Sequence, residues 1–310
     1  MKLFDLHCDT LYRAYTEKST LFNDEFHISF NKSKYMDKYI QCLAVWIPDE
    51  YRGESAEKLF LGCVGKLNEQ IKDTGIIKCM TKDDFDMVNK TGVVLTVESG
   101  AALGGKLENI RKYADIGVKM MTLTWNGTNE LGDGVGVEYS KGLSEFGRKA
   151  VKELERNNII LDISHASERL FYDVAETAES PFVASHSNSK KICSHKRNLS
   201  DSQFDIIKKS GGIVGLNFCI DFLNNNAEKS SMYDVIKMAE HFLSLGGEKM
   251  IAMGGDFDGA DVPKDLNGIE KMGELYEMFL KHYSESVVED IFFNNAFEFF
   301  KNSVKGDKRG

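Results

Sequence analysis

The chain has 310 residues, with 39 Lys and Arg against 48 Asp and Glu, and a formal net charge of −9. Its 42% hydrophobic and 28% charged content is that of a globular protein and excludes a disordered chain. The acidic balance, without a Lys/Arg-rich stripe, excludes a nucleic-acid-binding surface of the usual kind, and no run approaches the roughly 20 apolar residues of a membrane span.

Taken in chain order, short β-branched apolar runs alternate with longer stretches of helical period. Leu3–Leu6 and Ile40–Trp46 read as strands, followed by a helical segment over 55–72. Gly92–Val97 and Gly117–Thr124 are the next two strands. Over 141–156, Leu143, Phe146, Ala150, Val151 and Leu154 recur at three- and four-residue spacing, which predicts an amphipathic helix. Ile159–Ile163, Pro181–Ser185 and Gly212–Asn217 are strands again. The spacing of Met232, Val235, Ile236, Ala239, Phe242 and Leu243 predicts a helix over 231–245, stopped by Gly246-Gly247. Met250–Gly254 is the eighth strand. Two helical patterns follow, 269–282 and an aromatic-rich closing helix over 286–300, with a tail to 310. The strands are continuous rather than alternating, as expected when both faces of a parallel strand are buried. Eight such repeats predict an α/β fold, a (β/α)8 TIM-type barrel in one domain over 1–310; an open doubly wound sheet has the same alternation.

In a barrel, chemistry sits at the C-terminal ends of the strands. There the sequence presents His7 and Asp9, two apart and so on one face of an extended chain, then Glu98, His165, His186 and Asp256. A single histidine at a strand end is more often a hydrogen-bonded structural residue. Three imidazoles and three carboxylates together, without a thiolate, suit two divalent ions of the zinc type sharing a bridging carboxylate. Their charges also balance, +4 against three carboxylates and a hydroxide. Arg197, in the loop after the sixth strand, is by default a surface residue; beside a metal cavity its guanidinium fork suits a substrate carboxylate. The Gly-rich loop Trp125–Gly136 lacks the register of a dinucleotide site and reads as a mobile rim over the barrel mouth. His27, His195, His241 and His282 receive no role.

Six cysteines (Cys8, Cys42, Cys63, Cys79, Cys193, Cys219) form no CxxC pair and read as free thiols in a reducing compartment. Neither the Met1-Lys2-Leu3-Phe4-Asp5 start nor the Lys305–Gly310 end offers a signal peptide or a lipid-anchor tail, so the expected compartment is the cytoplasm, with no membrane partner.

Phe4-Asp5-Leu6-His7-Cys8-Asp9-Thr10, Glu98-Ser99-Gly100, Asp162-Ile163-Ser164-His165, Ser185-His186-Ser187-Asn188, Arg197-Asn198 and Gly254-Gly255-Asp256-Phe257-Asp258-Gly259 together resemble the renal (membrane) dipeptidase family, zinc peptidases of the amidohydrolase-type barrels. The resemblance runs in order from residue 4 to about 260. It implies that His7 and Asp9 bind one zinc, His165 and His186 a second, and that Glu98 bridges them. It implies Asp256 as the acid/base residue and Arg197 as the holder of a dipeptide's free carboxylate, with a D-residue often accepted at the C-terminal position and a homodimer as the assembly. Animal members carry a His that contacts the substrate carbonyl where this chain reads Leu123-Thr124-Trp125-Asn126, so Trp125 and Asn126 stand at that substrate position. The expected function is therefore a metallo-dipeptidase in which a metal-bridging hydroxide attacks the peptide carbonyl. The alternatives are hydrolysis of a lactone, cyclic amide or phosphoester in the same barrel, or a non-catalytic metal-binding protein on a degenerate scaffold.

Overall fold

Eight strands appear in the computed structural model, which describes residues 1–304; residues 305–310, the tail expected after the closing helix, lie outside the described residues. The strands are β1 (Lys2–Cys8), β2 (Lys38–Trp46), β3 (Ile77–Lys78), β4 (Thr91–Glu98), β5 (Val118–Thr122), β6 (Ile160–Asp162), β7 (Val214–Leu216) and β8 (Ile251–Met253). All pair in parallel, in the order β6-β5-β4-β2-β1-β8-β7, and the sheet curls as a half-barrel; β3 is a two-residue addition beside β4 that the sequence pattern did not predict. The longest pairing runs from Tyr39–Thr91 to Trp46–Glu98 between β2 and β4. Seven of the eight β4 residues are buried, which is why the run Gly92–Val97 carries no polar alternation.

Twelve α-helices connect or cover the strands: α1 (Thr10–Thr16), α2 (Glu54–Ile71), α3 (Lys82–Met87), α4 (Glu108–Ile116), α5 (Glu145–Arg156), α6 (Glu168–Thr177), α7 (Asp201–Ser210), α8 (Ile220–Leu223), α9 (Met232–Ser244), α10 (Met272–Leu280), α11 (Glu285–Glu289) and α12 (Asn295–Ser303). The predicted helices over 55–72, 141–156, 231–245 and 269–282 correspond to α2, α5, α9 and α10. In α5, Ala150, Val151 and Leu154 are buried and Ser144 caps the start by accepting the Gly147 N–H. The helix α9 ends before Gly246, whose φ of 77° lies in the left-handed region that glycine adopts without a Cβ clash. The closing segment is interrupted: a π-helical turn, Asp290–Asn294, separates α11 from α12. It still closes the core, with Phe292 and Phe300 fully buried and the Phe300 ring 5.2 Å from Phe4 of β1.

Two expected strands need correction. Gly117 belongs to the left-handed cap of α4 (φ 109°), so β5 begins one residue later. Pro181–Ser185 is not a regular strand. Pro181 has no N–H, and the Ser185 N–H goes to the Asp162 side chain rather than to a carbonyl. What remains is a single-residue bridge on each side, Val183 with Asp162 and Ala184 with Val214. Through these the segment bonds both neighbours: Val183 N–H donates to Leu161 O and Ala184 N–H to Ile213 O. One hydrophobic cluster runs from Leu3 to Val304, all six cysteines are unpaired and buried, and among the described residues no helix is long and apolar enough to cross a membrane.

Candidate active site

Each element delivers its polar residue at the C-terminal end of a strand. His7 lies within β1 near its end, where the register against β2 shifts between Asp5 and Cys8. Asp9 occupies the cap position of α1, yet its carboxylate caps nothing: Oδ1 has no partner and Oδ2 lies 3.6 Å from His7 Nε2. Glu98 ends β4, and His165, His186 and Asp256 follow β6, the 181–185 segment and β8. All six are buried, His186 completely.

The side chains converge. His7 Nε2 lies 3.6 Å from Glu98 Oε2 and 3.8 Å from Asp256 Oδ1, and finds no hydrogen-bond partner. Glu98 Oε1 lies 2.9 Å from His165 Nε2 and 3.7 Å from His186 Nε2. The two imidazole Nε2 atoms are 3.0 Å apart. Two sets, His7–Glu98–His186 and His7–Asp9–Asp256, bring their ligand atoms within 4.8 Å of one another. Ligand atoms around one tetrahedral ion with bonds of 2.0–2.1 Å stand about 3.3 Å apart, and the observed separations bracket that value.

The far side of each imidazole decides its chemistry. His165 Nδ1 is 2.9 Å from Asn126 Oδ1, an acceptor, so the ring carries its proton there. His186 Nδ1 is 2.7 Å from Ser185 Oγ, which donates its own hydrogen to Asp162 Oδ2 at 2.6 Å and so accepts from the ring. Both Nε2 lone pairs therefore face each other and the Glu98 carboxyl group, an arrangement suited to a cation. Burial pushes both imidazoles well below their usual pKa, with the Arg197 and His7 charges adding to it, which favours the neutral form, the one able to ligate a metal. At His7 burial acts the same way, but the Glu98, Asp9 and Asp256 carboxylates outweigh it and raise the pKa to about 10. Burial drives the Glu98 carboxyl well above the carboxylate range, and the Asp9 and Asp256 charges reinforce it. The pocket is thus a strong attractor for positive charge.

The backbone is bent to build it. Ser99, His165, Asp256 and Asp258 have φ of 88°, 65°, 59° and 65°, a region non-glycine residues seldom occupy. Asp258 holds the bend: its carboxylate accepts from the backbone of His27 and Ile28, Thr10 Oγ1 and Arg13 Nη1. A Cβ on Gly259 would lie 2.0 Å from Asp9 Oδ2, so any larger residue would have to displace the Asp9 carboxylate.

A model of the membrane dipeptidase family, peptidase family M19, matches residues 1–308. The chain belongs to that family. It is by that membership a metallo-dipeptidase, a hydrolase. A dipeptidase AC, a metallo peptidase of family M19, superposes with a TM-score of 0.89 at 26% identity over 98% of both chains. A metallo peptidase from Rhodobacter sphaeroides, solved with a phosphinate mimic of the dipeptide L-Ala-D-Ala, shares the fold at a TM-score of 0.90 and 24% identity, covering 98% of this chain and 99% of that one. An uncharacterized dipeptidase of Schizosaccharomyces pombe is 31% identical over 200 residues, 63% of this chain but 49% of that relative's length. An uncharacterized protein in the pqqA 5′ region of Klebsiella pneumoniae is 28% identical over 237 residues, 72% of this chain and 88% of its own.

In the dipeptidase, Arg197 is 6% exposed rather than a surface residue. One Nη donates to His186 O at 3.3 Å, while Nε has no partner. Trp125 lies edge-on to Trp46, 5.0 Å between ring centres, and 6.2 Å from His165. Asn126 turns its amide oxygen to His165 Nδ1 at 2.9 Å. The rim loop is tied down: Gly134 N–H donates to Gly127 O, Gly136 N–H to Asn126 O and Val135 N–H to His165 O. A Cβ on Gly134 would fall 1.9 Å from Trp125 O, the physical reason for a glycine there.

Three contributors escaped the sequence reading. Asp162 and Ser185 form the relay behind His186, and Asn217 donates to Asp256 Oδ2 at 3.0 Å. Asn217 is the polar residue just past β7, so the strand-end rule that found the others would also have found it. A larger cavity of about 670 Å³, lined by Ile160, Pro181, Ile213 and Phe299, opens at the opposite, N-terminal ends of the strands, away from these groups. Loss of the relay has a measurable cost. Ser185→Ala leaves His186 Nδ1 without its acceptor, and metal affinity falls about 10–100-fold in a competitive chelator titration.

Proposed function

We propose that the chain is a zinc dipeptidase that hydrolyses dipeptides with a free C-terminal carboxylate, including those with a D-residue at that position. His7 and Asp9 would hold one divalent ion, His165 and His186 the second, with Glu98 between them. The observation that carries this reading is the pair of neutral imidazoles whose Nε2 atoms lie 3.0 Å apart against Glu98, each with its proton committed to the other nitrogen. Once bound, the ions supply Lewis acidity toward the peptide carbonyl and a water of lowered pKa.

The remaining steps belong to the protein. Asn217 occupies Asp256 Oδ2, so Oδ1 is the atom that takes the proton from the attacking water and returns it to the leaving amine. Arg197, buried with an unpaired Nε, would grip the substrate carboxylate and so set substrate length rather than side-chain identity. Trp125 would wall the carbonyl side. Parallel bonding of 181–185 to both β6 and β7 supports closure of the sheet as a (β/α)8 barrel, and the continuous core supports one domain over 1–310. Six unpaired cysteines favour a reducing compartment such as the cytoplasm, and the family resemblance a homodimer.

The test is metal analysis of the purified protein together with a panel of L,L- and L,D-dipeptides, their C-terminal amides, a lactone and a phosphoester. Two equivalents of zinc and turnover of the free dipeptides alone are expected. Arg197→Ala should raise KM for dipeptides at least about 30-fold, the scale of one lost charge-assisted contact. Equal turnover of the C-terminal amides would remove the carboxylate requirement.

A further inference from the structure

Beside His165 lies a small cavity of about 60 Å³ that shares Arg197 with the proposed carboxylate site and extends past it to Ser187 and Asn198. Its lining includes Ser187, Arg197 and Asn198, which are 2%, 6% and 4% exposed. Each carries a buried polar atom without a protein partner: Ser187 Oγ, Arg197 Nε and Asn198 Oδ1. Buried polar groups are nearly always paired, so three orphans around one cavity mark a place built for a polar occupant. Ser187 O–H and Arg197 N–H ask for an acceptor, whereas Asn198 Oδ1 asks for a donor.

Charge narrows the choice. Lys190 and Lys196 also line the cavity; both are exposed at its mouth, and neither enters an ion pair among the described residues. With Arg197 they make three cations, against Glu168 as the one acid in the lining. The space takes a carboxylate on a short chain but not an aromatic ring. A serine hydroxyl and a guanidinium N–H at the cavity, with two exposed lysines at its mouth, favour an anion over a neutral amide.

We infer that this cavity receives the acidic side chain of the substrate's C-terminal residue, so that dipeptides ending in Asp or Glu are the preferred class. The inference rests on the reading that Arg197 holds the main-chain carboxylate, since Ser187, Lys190 and Lys196 line the same cavity as Arg197. Ser187, Lys190 and Lys196 are then specificity-determining residues, and they act on substrate binding rather than on bond cleavage.

The deciding measurement compares kcat/KM for Ala-Glu and Ala-Gln, in both C-terminal stereoisomers, on the zinc-loaded enzyme. The two side chains match in shape and differ in charge. Ala-Glu should exceed Ala-Gln at least tenfold, mostly through KM. The ratio should fall at least threefold in Lys196→Ala and in Ser187→Ala, and approach one in a Lys190→Ala/Lys196→Ala double variant, whose exposed sites do not endanger folding. Equal rates on the pair, or a ratio unchanged in the variants, overturns the inference. Turnover of Ala-Ala without an acidic preference defeats only the subsite. Failure to cleave any dipeptide defeats the dipeptidase reading and the subsite with it.

Discussion

Asp256→Asn should lower kcat by about 10²–10⁴-fold, the usual contribution of a positioned acid/base group, with both metal equivalents retained. The amide preserves the shape of the carboxylate. Its oxygen can still accept from Asn217 Nδ2, which now stands 3.0 Å from Asp256 Oδ2. Its nitrogen would replace Oδ1, the atom 3.8 Å from His7 Nε2, and cannot take up a proton. The backbone there is already held at a φ of 59° by the surrounding contacts, and the amide adds no bulk. Steady-state kinetics with metal content measured on the same sample separates two roles. Asp256 also belongs to a compact set with His7 and Asp9. Loss of one metal equivalent along with activity would make Asp256 a ligand; activity within tenfold of the parent would remove it from proton transfer.

Glu98→Gln should be the most damaging single change, lowering metal affinity by at least about 100-fold and activity below detection at stoichiometric zinc. Loss of a group that merely orients a ligand costs about 10–100-fold, and Glu98 touches both halves of the site itself. Its Oε1 faces His165 and His186 while its Oε2 faces His7. The amide would remove the charge that balances the cations and turn an N–H₂ group toward one of them. Chelator treatment of the parent enzyme, followed by zinc, should restore activity, whereas the variant should stay inactive at the same zinc concentration. A variant that keeps two metal equivalents would show that Glu98 is not shared between the ions.

The six converging residues were legible because each follows an apolar parallel strand, where a polar side chain at the C-terminal end is conspicuous. Arg197 was legible only as a candidate: its burial depends on how the loop after His186 folds back. Asn126 was legible as a residue of the right loop, but sequence order could not reveal that its amide oxygen meets His165. Short helices such as α6 and α7 went unread although Ser167 and the Ser200–Gln203 capping box mark their starts.

Local sequence alone determined the parallel strand–helix alternation, the unpaired cysteines and the identity of the metal-binding candidates, since burial on both faces imposes apolar runs and metal binding imposes imidazole and carboxylate at their ends. The tertiary structure alone decided which nitrogen of each histidine is free, which oxygen of Asp256 can carry a proton, and why Pro181–Ser185 bonds its neighbours through one residue each. Those properties arise from contacts across as many as 39 positions, such as Asn217 with Asp256, and a chain far apart in sequence meets only after the sheet has curled.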